Sequence, residues 1–438
     1  MRDIFADKKY LALLLLFTVA GLVLRVGWVL GVPTVPVFDF ATYLELASNI
    51  FHGQGHTLNG NPVAWQGPFY PYALALFHGI MGNDATINAK IFNLLLSAAT
   101  LGMAFFLYAK WFAGRPGKIM AAYGITALFP HLIAYNNVAG NETLFLFLLV
   151  GLLLLQLYLP PVLWKYPLIG LLCGVAALTK PFMLAYPVVL AVIWWAQGKR
   201  LKETLAATAL VFATLLLVLS PWAVRNYRVF GEFILVSYNR GYVQFISNND
   251  ANTHGGWMDP LNAPLSPEKR AQIESSLAFG RSIKEAYELE PLFAQAAQEW
   301  MWQNPVAFLE LSVLRVQRTF FNGAGDISQW AMNDVDWNDA PTRRTIAMWE
   351  GLFSILVSVF SVAGLLFGLR MLWPFLRGVL RREKAAHCLP DTEKAVFIHI
   401  AFFVAIAAFF EGQERYIFPV IPFLVFALLW FWDRKHVQ

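Results

Sequence analysis

The sequence predicts an all-α polytopic membrane protein with about ten transmembrane helices. Of its 438 residues, 58% are hydrophobic and only 14% are charged, whereas soluble domains average about 25% charged residues. The apolar residues also gather into separate runs, each approaching the roughly 20 residues that a helix needs to cross a bilayer. Short basic segments follow every second run. These segments largely explain the net charge of +5, so no nucleic-acid partner is predicted.

The apolar runs can be assigned one by one as membrane spans. The first run follows basic residues but precedes no small-residue cleavage site, so we interpret it as a retained span and not as a signal peptide. The break at Lys180-Pro181 divides one long apolar stretch into two spans. The predicted spans are Tyr10–Leu30, Ala85–Leu107, Ile119–Tyr135, Thr143–Leu159, Tyr166–Thr179, Phe182–Ala196, Thr204–Leu219, Ile346–Leu369, Val396–Phe410 and Tyr416–Trp432.

The basic residues between the spans predict the orientation, because cytoplasmic loops carry an excess of Lys and Arg. Placing the N-terminus inside puts nearly all of the short basic segments on the same side. We therefore predict a multi-pass protein of the inner or plasma membrane with both termini in the cytoplasm. The inner basic residues are Arg2, Lys8, Lys9, Lys110, Arg115, Lys118, Lys165, Lys199, Arg200, Lys202, Arg377, Arg381, Arg382, Lys384, Arg434 and Lys435.

Three regions are predicted along the chain. Residues 1–222 form a membrane module that includes a first outer loop at residues 31–84, and residues 346–438 form the C-terminal transmembrane helices. Between them, residues 223–345 are expected to form a small mixed extracytoplasmic segment that covers the membrane module as a lid. Alternating apolar residues predict a strand in residues 231–249, and helices are predicted from about Pro267 to Tyr287 and from Pro291 to Phe320.

The first outer loop contains a lone acid, Asp39, in an apolar setting. The residues after it, Ala41 to Phe51, have the amphipathic pattern of a short helix that lies on a membrane surface. An acid at the end of a span and beneath such a helix is a candidate catalytic group. Alternatively, Asp39 precedes a helical run and could cap it. Position alone leaves both interpretations open.

The predicted orientation brings several further charged residues to the outer ends of the spans. Charges of both signs at the bilayer boundary are costly unless they are paired or hydrated, so they indicate a polar cavity on the outer face. Acids there could activate a hydroxyl group, and bases could hold a phosphate. Structural alternatives remain for each, namely helix capping for Glu142, snorkelling for Lys180 and Lys90, and local pairing for Arg225 and Arg415. The outer charged residues are Asp39, Lys90, Glu142, Lys180, Arg225, Glu411, Glu414 and Arg415.

Several segments together resemble the membrane-embedded GT-C glycosyltransferases, in particular the dolichyl-phosphate-mannose protein mannosyltransferase and aminoarabinose transferase group. They are Asp39 with the interfacial helix, GPFYPYALALFHGIMG, NETLFLFLLVG, GVAALTKPFML, SPWAVRNYRVFG and the final QERYIFPVIPFL. Each motif is loose, but their order and sidedness together are fairly specific, and the resemblance covers most of the chain. The resemblance implies a GT-C-type fold with interfacial helices in the first outer loop. It also implies an inverting hexosyl- or pentosyltransferase that uses a polyprenyl-phosphate-linked sugar.

The resemblance also implies roles for individual residues on the periplasmic or extracellular face. Asp39 matches the first-loop aspartate that is taken as general base toward the acceptor, and Glu142 is a second catalytic candidate. Cationic groups are expected to hold the departing lipid phosphate. No metal-ligand spacing is visible, so no cofactor is predicted and a divalent metal, although possible, has no support. The candidate substrate- and phosphate-binding residues are Tyr43, Lys90, Lys180, Arg225, Asn226, Asn248, Glu414 and Arg415.

The sequence departs from both branches of this group. Phe40, and not a second acid, follows Asp39, and Gln66-Gly67 stand before Pro68 where the aminoarabinose transferases carry a lysine. The acceptor is therefore expected to be an envelope glycan, a lipid or a protein, with no single choice favoured. Two other activities remain open: a polysaccharide ligase or polymerase with a lipid-diphosphate donor, and a flippase or transporter. A transporter would place charges near the bilayer midplane and show repeated halves, which this sequence does not.

Overall fold

The computed structural model describes residues 2–82, 84–380 and 389–432, and it is almost entirely helical. The basic residues Arg381, Arg382, Lys384, Arg434 and Lys435, used above for orientation, lie outside the described residues. Within the described part, five helices are long and apolar enough to cross a membrane, and three shorter apolar helices accompany them. The chain is therefore a multi-pass membrane protein.

The N-terminal half supplies most of the packed helices, and its two strands form one small hairpin. The helices are α1 (Arg2–Ala6), α2 (Lys8–Gly31), α3 (Phe38–Phe51), α4 (Phe69–Met81), α5 (Ala85–Trp111), α6 (Pro116–Leu128), α7 (Pro130–Ala134), α8 (Glu142–Tyr158), α9 (Lys165–Thr179), α10 (Tyr186–Ala196) and α11 (Leu201–Phe230). The strands are β1 (Thr57–Leu58) and β2 (Asn61–Pro62), which pair antiparallel.

The remainder of the chain consists of outer helices followed by the last spans. The helices are α12 (Arg240–Ser247), α13 (Pro267–Ser276), α14 (Glu290–Gln303), α15 (Pro305–Phe321), α16 (Gly325–Ala331), α17 (Ala340–Leu380), α18 (Asp391–Phe409) and α19 (Ile421–Trp430). Short 3-10 helices lie at Tyr135–Asn137, Pro181–Ala185, Pro260–Asn262, Ala278–Gly280, Tyr287–Leu289 and Glu414–Val420. Nine of the ten predicted spans coincide with one of these helices or with a helix and its adjoining 3-10 turn, and the span Ile119–Tyr135 is divided between α6 and α7.

Close helix packing in the membrane region depends on small residues. Gly170 and Gly174 lie one turn apart on α9, in the sequence GLLCG, and face α11. A Cβ atom on Gly170 would lie 2.5 Å from the Val211 carbonyl oxygen, and one on Gly174 would lie 2.6 Å from Val218 Cβ. Membrane helices gain little from hydrophobic burial against each other, so this close approach provides the packing contacts that hold α9 to α11.

The predicted strand in residues 231–249 is wrong. Every residue from 231 to 339 is described and none lies in a strand; α12 occupies the centre of the predicted strand instead. The Glu290 carboxylate accepts hydrogen bonds from the backbone N–H groups of Gly241 and Tyr242, at 2.5 and 3.2 Å, which satisfies two free donors at the start of the helix. Phe245 then packs on Phe293 of α14, with ring centroids 5.1 Å apart. These distant contacts outweigh the strand preference of the local sequence.

The two helices predicted in the outer segment exist but are divided differently. The first, predicted to reach Tyr287, ends as α13 at Ser276. The second is broken between α14 and α15 at Asn304, which leaves the helical conformation because Pro305 follows it. α11 continues to Phe230 and α17 begins at Ala340, so the segment between the spans covers residues 231–339. α15 packs along α17 and α18, which attaches the outer segment to the membrane helices.

Candidate active site

Asp39 is the second residue of α3 and does not cap it. The N-cap position is Val37, which makes no side-chain capping bond. Phe38 has a φ of 49°, a left-handed conformation that costs about 1–2 kcal/mol for a residue with a Cβ atom. Its ring contacts Trp330 at 5.9 Å between centroids. This turn leads the chain from the loop after α2 directly into α3 and leaves the Asp39 carboxylate available to other partners.

Two cations from distant parts of the chain flank the Asp39 carboxylate. Lys284 Nζ lies 3.2 Å from Oδ1, and an Arg415 guanidinium nitrogen lies 3.6 Å from Oδ2. Lys284 also donates to the Thr42 hydroxyl at 2.7 Å, one turn further along α3. The Asp39 side chain is still 35% exposed, so a substrate can approach it. Of the two interpretations left open by the sequence, the contacts agree with a charged site and not with a helix cap.

The neighbouring cations keep the Asp39 carboxyl ionised. Partial burial disfavours the charged form, but the positive charges of Lys284 and Arg415 outweigh it, and the hydrogen bond from Lys284 adds to their effect. The pKa of Asp39 therefore lies below its ordinary value. At neutral pH the group is a carboxylate, which is the form that can accept a proton.

Glu142 and Lys180 form a second ion pair at the same end of the helices. Lys180 Nζ lies 3.1 Å from Glu142 Oε1, and the Glu142 side chain is only 4% exposed. Glu142 is the first residue of α8 and Lys180 directly follows α9, so the pair joins two span ends. The Asn141 amide donates to the Tyr43 hydroxyl at 2.8 Å and to the Thr179 carbonyl at 3.1 Å. These bonds connect the pair to α3 and therefore to the helix that carries Asp39.

Arg415 links the two ion pairs. Its charge interacts with both Asp39 and Glu142, and its guanidinium lies 5.7 Å from the Phe40 ring and 5.5 Å from the Tyr416 ring. The arrangement therefore alternates acid and base across one end of the bundle. Glu411, four residues earlier, accepts bonds from Gln413 at 2.5 Å and Tyr416 at 3.3 Å. Glu414 accepts a bond from the amide of Asn322, the residue that directly follows α15.

Four predicted binding residues make their contacts elsewhere. Arg225 donates to the carbonyls of Val63 and His56 at 2.9 and 3.0 Å, so it holds the first outer loop. Asn226 donates to Ile234 at 2.8 Å and accepts from Arg225. The remaining two are Asn248, which accepts from the buried Arg315 at 2.7 Å, and Lys90, a half-buried residue of α5 that interacts electrostatically with Asp334 and Asp84.

Lys284 was not predicted as a site residue, because it is brought to Asp39 by contacts between two distant segments of the chain. The next residue, Glu285, accepts bonds from the amides of Asn59 and Asn61 at 3.1 and 2.8 Å. Asn59 and Gly60 both have positive φ, 47° and 77°, which is the geometry of the Asn-Gly hairpin turn between β1 and β2. The hairpin of the first loop thereby fixes the segment that brings Lys284 to Asp39. The Asn-Gly turn was readable in the sequence, but its partner in the outer segment was not.

A second buried polar cluster, close to the first, was also missed by sequence reasoning. Asp326 of α16, 1% exposed, accepts a bond from the Tyr135 hydroxyl at 2.5 Å and lies 3.1 Å from His131 Nε2. Tyr135 in turn lies within the electrostatic range of Glu142 and Arg415. Asp326 therefore attaches the outer segment to α7 and to the 3-10 turn that follows it.

Replacing Asp326 with Ala is expected to lower the stability of the protein by about 3–5 kcal/mol, since it leaves His131 and Tyr135 buried without their shared partner. Thermal unfolding in detergent, followed by intrinsic fluorescence, measures the effect. Asp336→Ala, at an exposed position of the same segment, serves as the control. Equal melting temperatures for the two variants would show that the buried cluster contributes nothing.

The site does not fit a metal ion. No group of three or more His, Cys, Asp or Glu side chains that could hold one is found in the described ranges. The two acids of the site, Asp39 and Glu142, are instead each paired with a lysine, and Arg415 adds a further positive charge. A divalent cation would have to displace these ammonium groups before it could bind the carboxylates.

Comparison with known proteins gives fold-level likenesses only. No family model matches the sequence, and no curated protein matches it. Among solved structures, the oligosaccharyltransferase AglB from Archaeoglobus fulgidus with an inhibitory peptide and a dolichol-phosphate is similar at a TM-score of 0.51 and 13% identity, over 97% of this chain and 50% of that one. An oligosaccharyltransferase from Archaeoglobus fulgidus with zinc and sulfate gives a TM-score of 0.50 and 15% identity, over 95% of this chain and 48% of that one. The chain thus spans about half the length of these relatives.

ArnT from Cupriavidus metallidurans bound to undecaprenyl phosphate is a more distant likeness, with a TM-score of 0.44 and 16% identity over 90% of this chain and 76% of that one. The assignment of the fold rests on the two archaeal structures. The chain is a polytopic membrane protein with the fold of the GT-C glycosyltransferases, which confirms the fold predicted from the sequence motifs.

Proposed function

We propose that the protein is an inverting glycosyltransferase that moves a sugar from a polyprenyl-phosphate donor to a cell-envelope acceptor. The observation that carries the proposal is the accessible Asp39 carboxylate, which has a cation on each side. It lies where α3 meets the ends of α8 and α9. The GT-C fold agrees with this activity. The positive-inside pattern supports an outer location for the site, on the periplasmic or extracellular face, with both termini in the cytoplasm.

In the proposed reaction, Asp39 acts as general base. The carboxylate takes the proton of an acceptor hydroxyl or amine while the oxygen or nitrogen of that group attacks the anomeric carbon from the face opposite the phosphate. A new glycosidic bond forms as the bond between the anomeric carbon and the phosphate oxygen breaks, and the electron pair leaves with the lipid phosphate. The configuration at the anomeric carbon is inverted because the displacement is single.

The leaving phosphate needs positive charge more than a proton. Arg415 is suited to this role because its guanidinium can make two parallel bonds to phosphate oxygens and because it already lies among the acids of the site. Lys180 is the second candidate, since it adds positive charge at the same end of the bundle. Glu142 positions Lys180 and balances its charge. Arg225 lies in the first-loop anchor and would reach a phosphate only by giving up backbone bonds.

The proposal is tested by supplying the purified protein with synthetic polyprenyl-phosphate and polyprenyl-diphosphate sugars, together with the envelope fraction of a strain that lacks the gene. We expect transfer from the monophosphate donor with release of polyprenyl phosphate. Transfer from the diphosphate donor alone would indicate a ligase or polymerase. Movement of intact donor across liposome membranes without bond cleavage would indicate a flippase. Mass spectrometry of surface glycans from the deletion strain identifies the sugar and the acceptor.

Replacing Lys284 with Gln is expected to move the acidic limb of the activity profile to higher pH. The Lys284 charge lowers the pKa of Asp39, so its removal raises that pKa, and the base becomes protonated and inactive at a higher pH than in the wild type. The pH dependence of kcat/KM measures the shift. Lys284→Arg, which retains the charge, should leave the limb in place, and an unchanged limb in Lys284→Gln would mean that Asp39 is not the base.

A further inference from the structure

Trp257 is an exposed aromatic residue on a rigid loop of the outer segment. Its side chain is 51% exposed, although it follows a loop with a dense hydrogen-bond network. The Asn252 side-chain oxygen accepts bonds from the backbone N–H groups of His254 and Gly255, at 3.2 and 2.8 Å, and its amide donates to the Gly256 carbonyl at 2.8 Å. The backbone that presents Trp257 is therefore held in one conformation.

The ring of Trp257 is fixed by a neighbouring aromatic group. Its indole N–H donates to the Tyr242 hydroxyl at 3.1 Å, so the polar edge is satisfied and the ring face remains available. Tyr242 lies 4.8 Å from the Trp65 ring between centroids. Trp65 belongs to the first outer loop, which also carries Asp39. The three rings form an aromatic cluster, Trp65–Tyr242–Trp257, at the junction of that loop with α12.

This aromatic cluster adjoins the reacting groups. The Gly255 carbonyl, two residues before Trp257, accepts a bond from the Gly412 N–H at 3.0 Å. Gly412 lies between Glu411 and Arg415 in sequence. A Cβ atom on Gly412 would come 2.7 Å from Arg315 Cα, and one on Gly255 would come 3.0 Å from Arg315 N, so both glycines pack against the same residue of α15. The charges of Glu411 and Asp39 both act on the Tyr242 hydroxyl. The Trp257 indole, which donates to that hydroxyl, is thus close to the part of the site that contains Asp39.

We infer that Trp257, supported by Tyr242 and Trp65, is a binding subsite for a sugar ring of the acceptor. This inference rests on the proposed function and narrows its acceptor to a carbohydrate. The apolar face of a pyranose ring carries C–H groups that pack on an aromatic face, and tryptophan offers the largest such face at little conformational cost. Contact there would hold the acceptor sugar while a hydroxyl group reaches Asp39. A peptide acceptor would depend less on a flat aromatic surface.

The test compares Trp257→Ala, Trp257→Phe and Trp302→Ala. Trp302, on α14, is 86% exposed and serves as a matched control for loss of an exposed tryptophan. The probe is the envelope fraction from a strain that lacks the gene, titrated against a fixed concentration of the polyprenyl-phosphate sugar. We expect Trp257→Ala to raise the apparent KM for this fraction about tenfold and to leave the KM for the donor unchanged. Trp257→Phe should be intermediate and Trp302→Ala should match the wild type.

The outcomes separate the inference from the function on which it rests. An unchanged acceptor KM in Trp257→Ala, or a modified product that is a peptide or a sugar-free lipid, would overturn the subsite alone. Equal rises in donor and acceptor KM in both Trp257 variants would also overturn it, since they would indicate a general structural defect. Lack of transfer by the wild-type protein would overturn the proposed function. An interfacial membrane anchor would change extraction from the membrane in Trp257→Ala without changing the acceptor KM.

Discussion

Replacing Asp39 with Asn is expected to reduce sugar transfer about 10²- to 10⁴-fold, the usual contribution of a general base. The amide has nearly the same shape as the carboxylate but cannot take a proton from the acceptor. Donor binding should be largely retained, since the groups assigned to the phosphate are unchanged. Transfer rates from single-turnover assays and donor affinity measured separately distinguish the two effects.

Two controls accompany the Asp39 variant. Glu274→Gln makes the same acid-to-amide change at an exposed position of α13 and should behave like the wild type. Thermal unfolding should show at most a modest loss in Asp39→Asn, because the carboxylate is one-third exposed and its ion pairs are screened by water. Wild-type turnover in a folded Asp39→Asn protein would remove Asp39 from its proposed role.

Replacing Arg415 with Gln should weaken binding of the lipid donor by about 10- to 100-fold, equivalent to the 1.5–3 kcal/mol typical of hydrogen bonds to charged groups. The variant loses the cation that faces both Asp39 and Glu142. Equilibrium binding of polyprenyl phosphate, which lacks the sugar, isolates the contribution of the phosphate. Arg415→Lys should recover part of the affinity, because an ammonium keeps the charge but not the paired geometry of a guanidinium.

Arg228→Gln is the matched control for Arg415, as Arg228 is exposed in the last turn of α11. Arg225→Gln is a sharper comparison, because sequence reasoning assigned the phosphate to Arg225 as well. Its bonds to Val63 and His56 lead us to expect a lower melting temperature and a smaller change in affinity than for Arg415. Unchanged polyprenyl-phosphate affinity in both Arg415→Gln and Arg225→Gln would place the phosphate site elsewhere.

The membrane helices could be predicted because hydropathy is a local property. Each apolar run became helical, and the run from Ile119 to Tyr135 forms two helices, α6 and α7, because Pro130 divides it. The sidedness of the loops also predicted that four charged residues lie on the same face of the membrane, namely Asp39, Glu142, Lys180 and Arg415. In the structure these four residues interact with one another at one end of the bundle. These residues share a signal, since each is a charge at the end of a span.

The outer segment could not be predicted in the same way, because its structure depends on distant partners. Lys284 is 245 residues from Asp39 in the chain and stands in an ordinary polar stretch with no feature that marks it. The strand predicted in residues 231–249 failed because Glu290, more than 40 residues away, caps α12. Arg225 lies in a segment that resembles the family and at the outer end of a span, as a phosphate-binding residue would. Its guanidinium instead donates to backbone carbonyls, and the sequence could not distinguish these two uses because a guanidinium can bind either group.

The bonds from Asn59 and Asn61 to Glu285 have a consequence for engineering and for divergence among related enzymes. They join the first outer loop and the outer segment into a single interlocked unit, and the adjacent Lys284 sets the charge around Asp39. A chimera that took its outer segment from another protein of this fold would thus alter the surroundings of Asp39, the proposed base, as well as the proposed acceptor surface. New acceptor specificity is therefore more readily gained by exchanging both loops together, with the membrane helices left as a common platform.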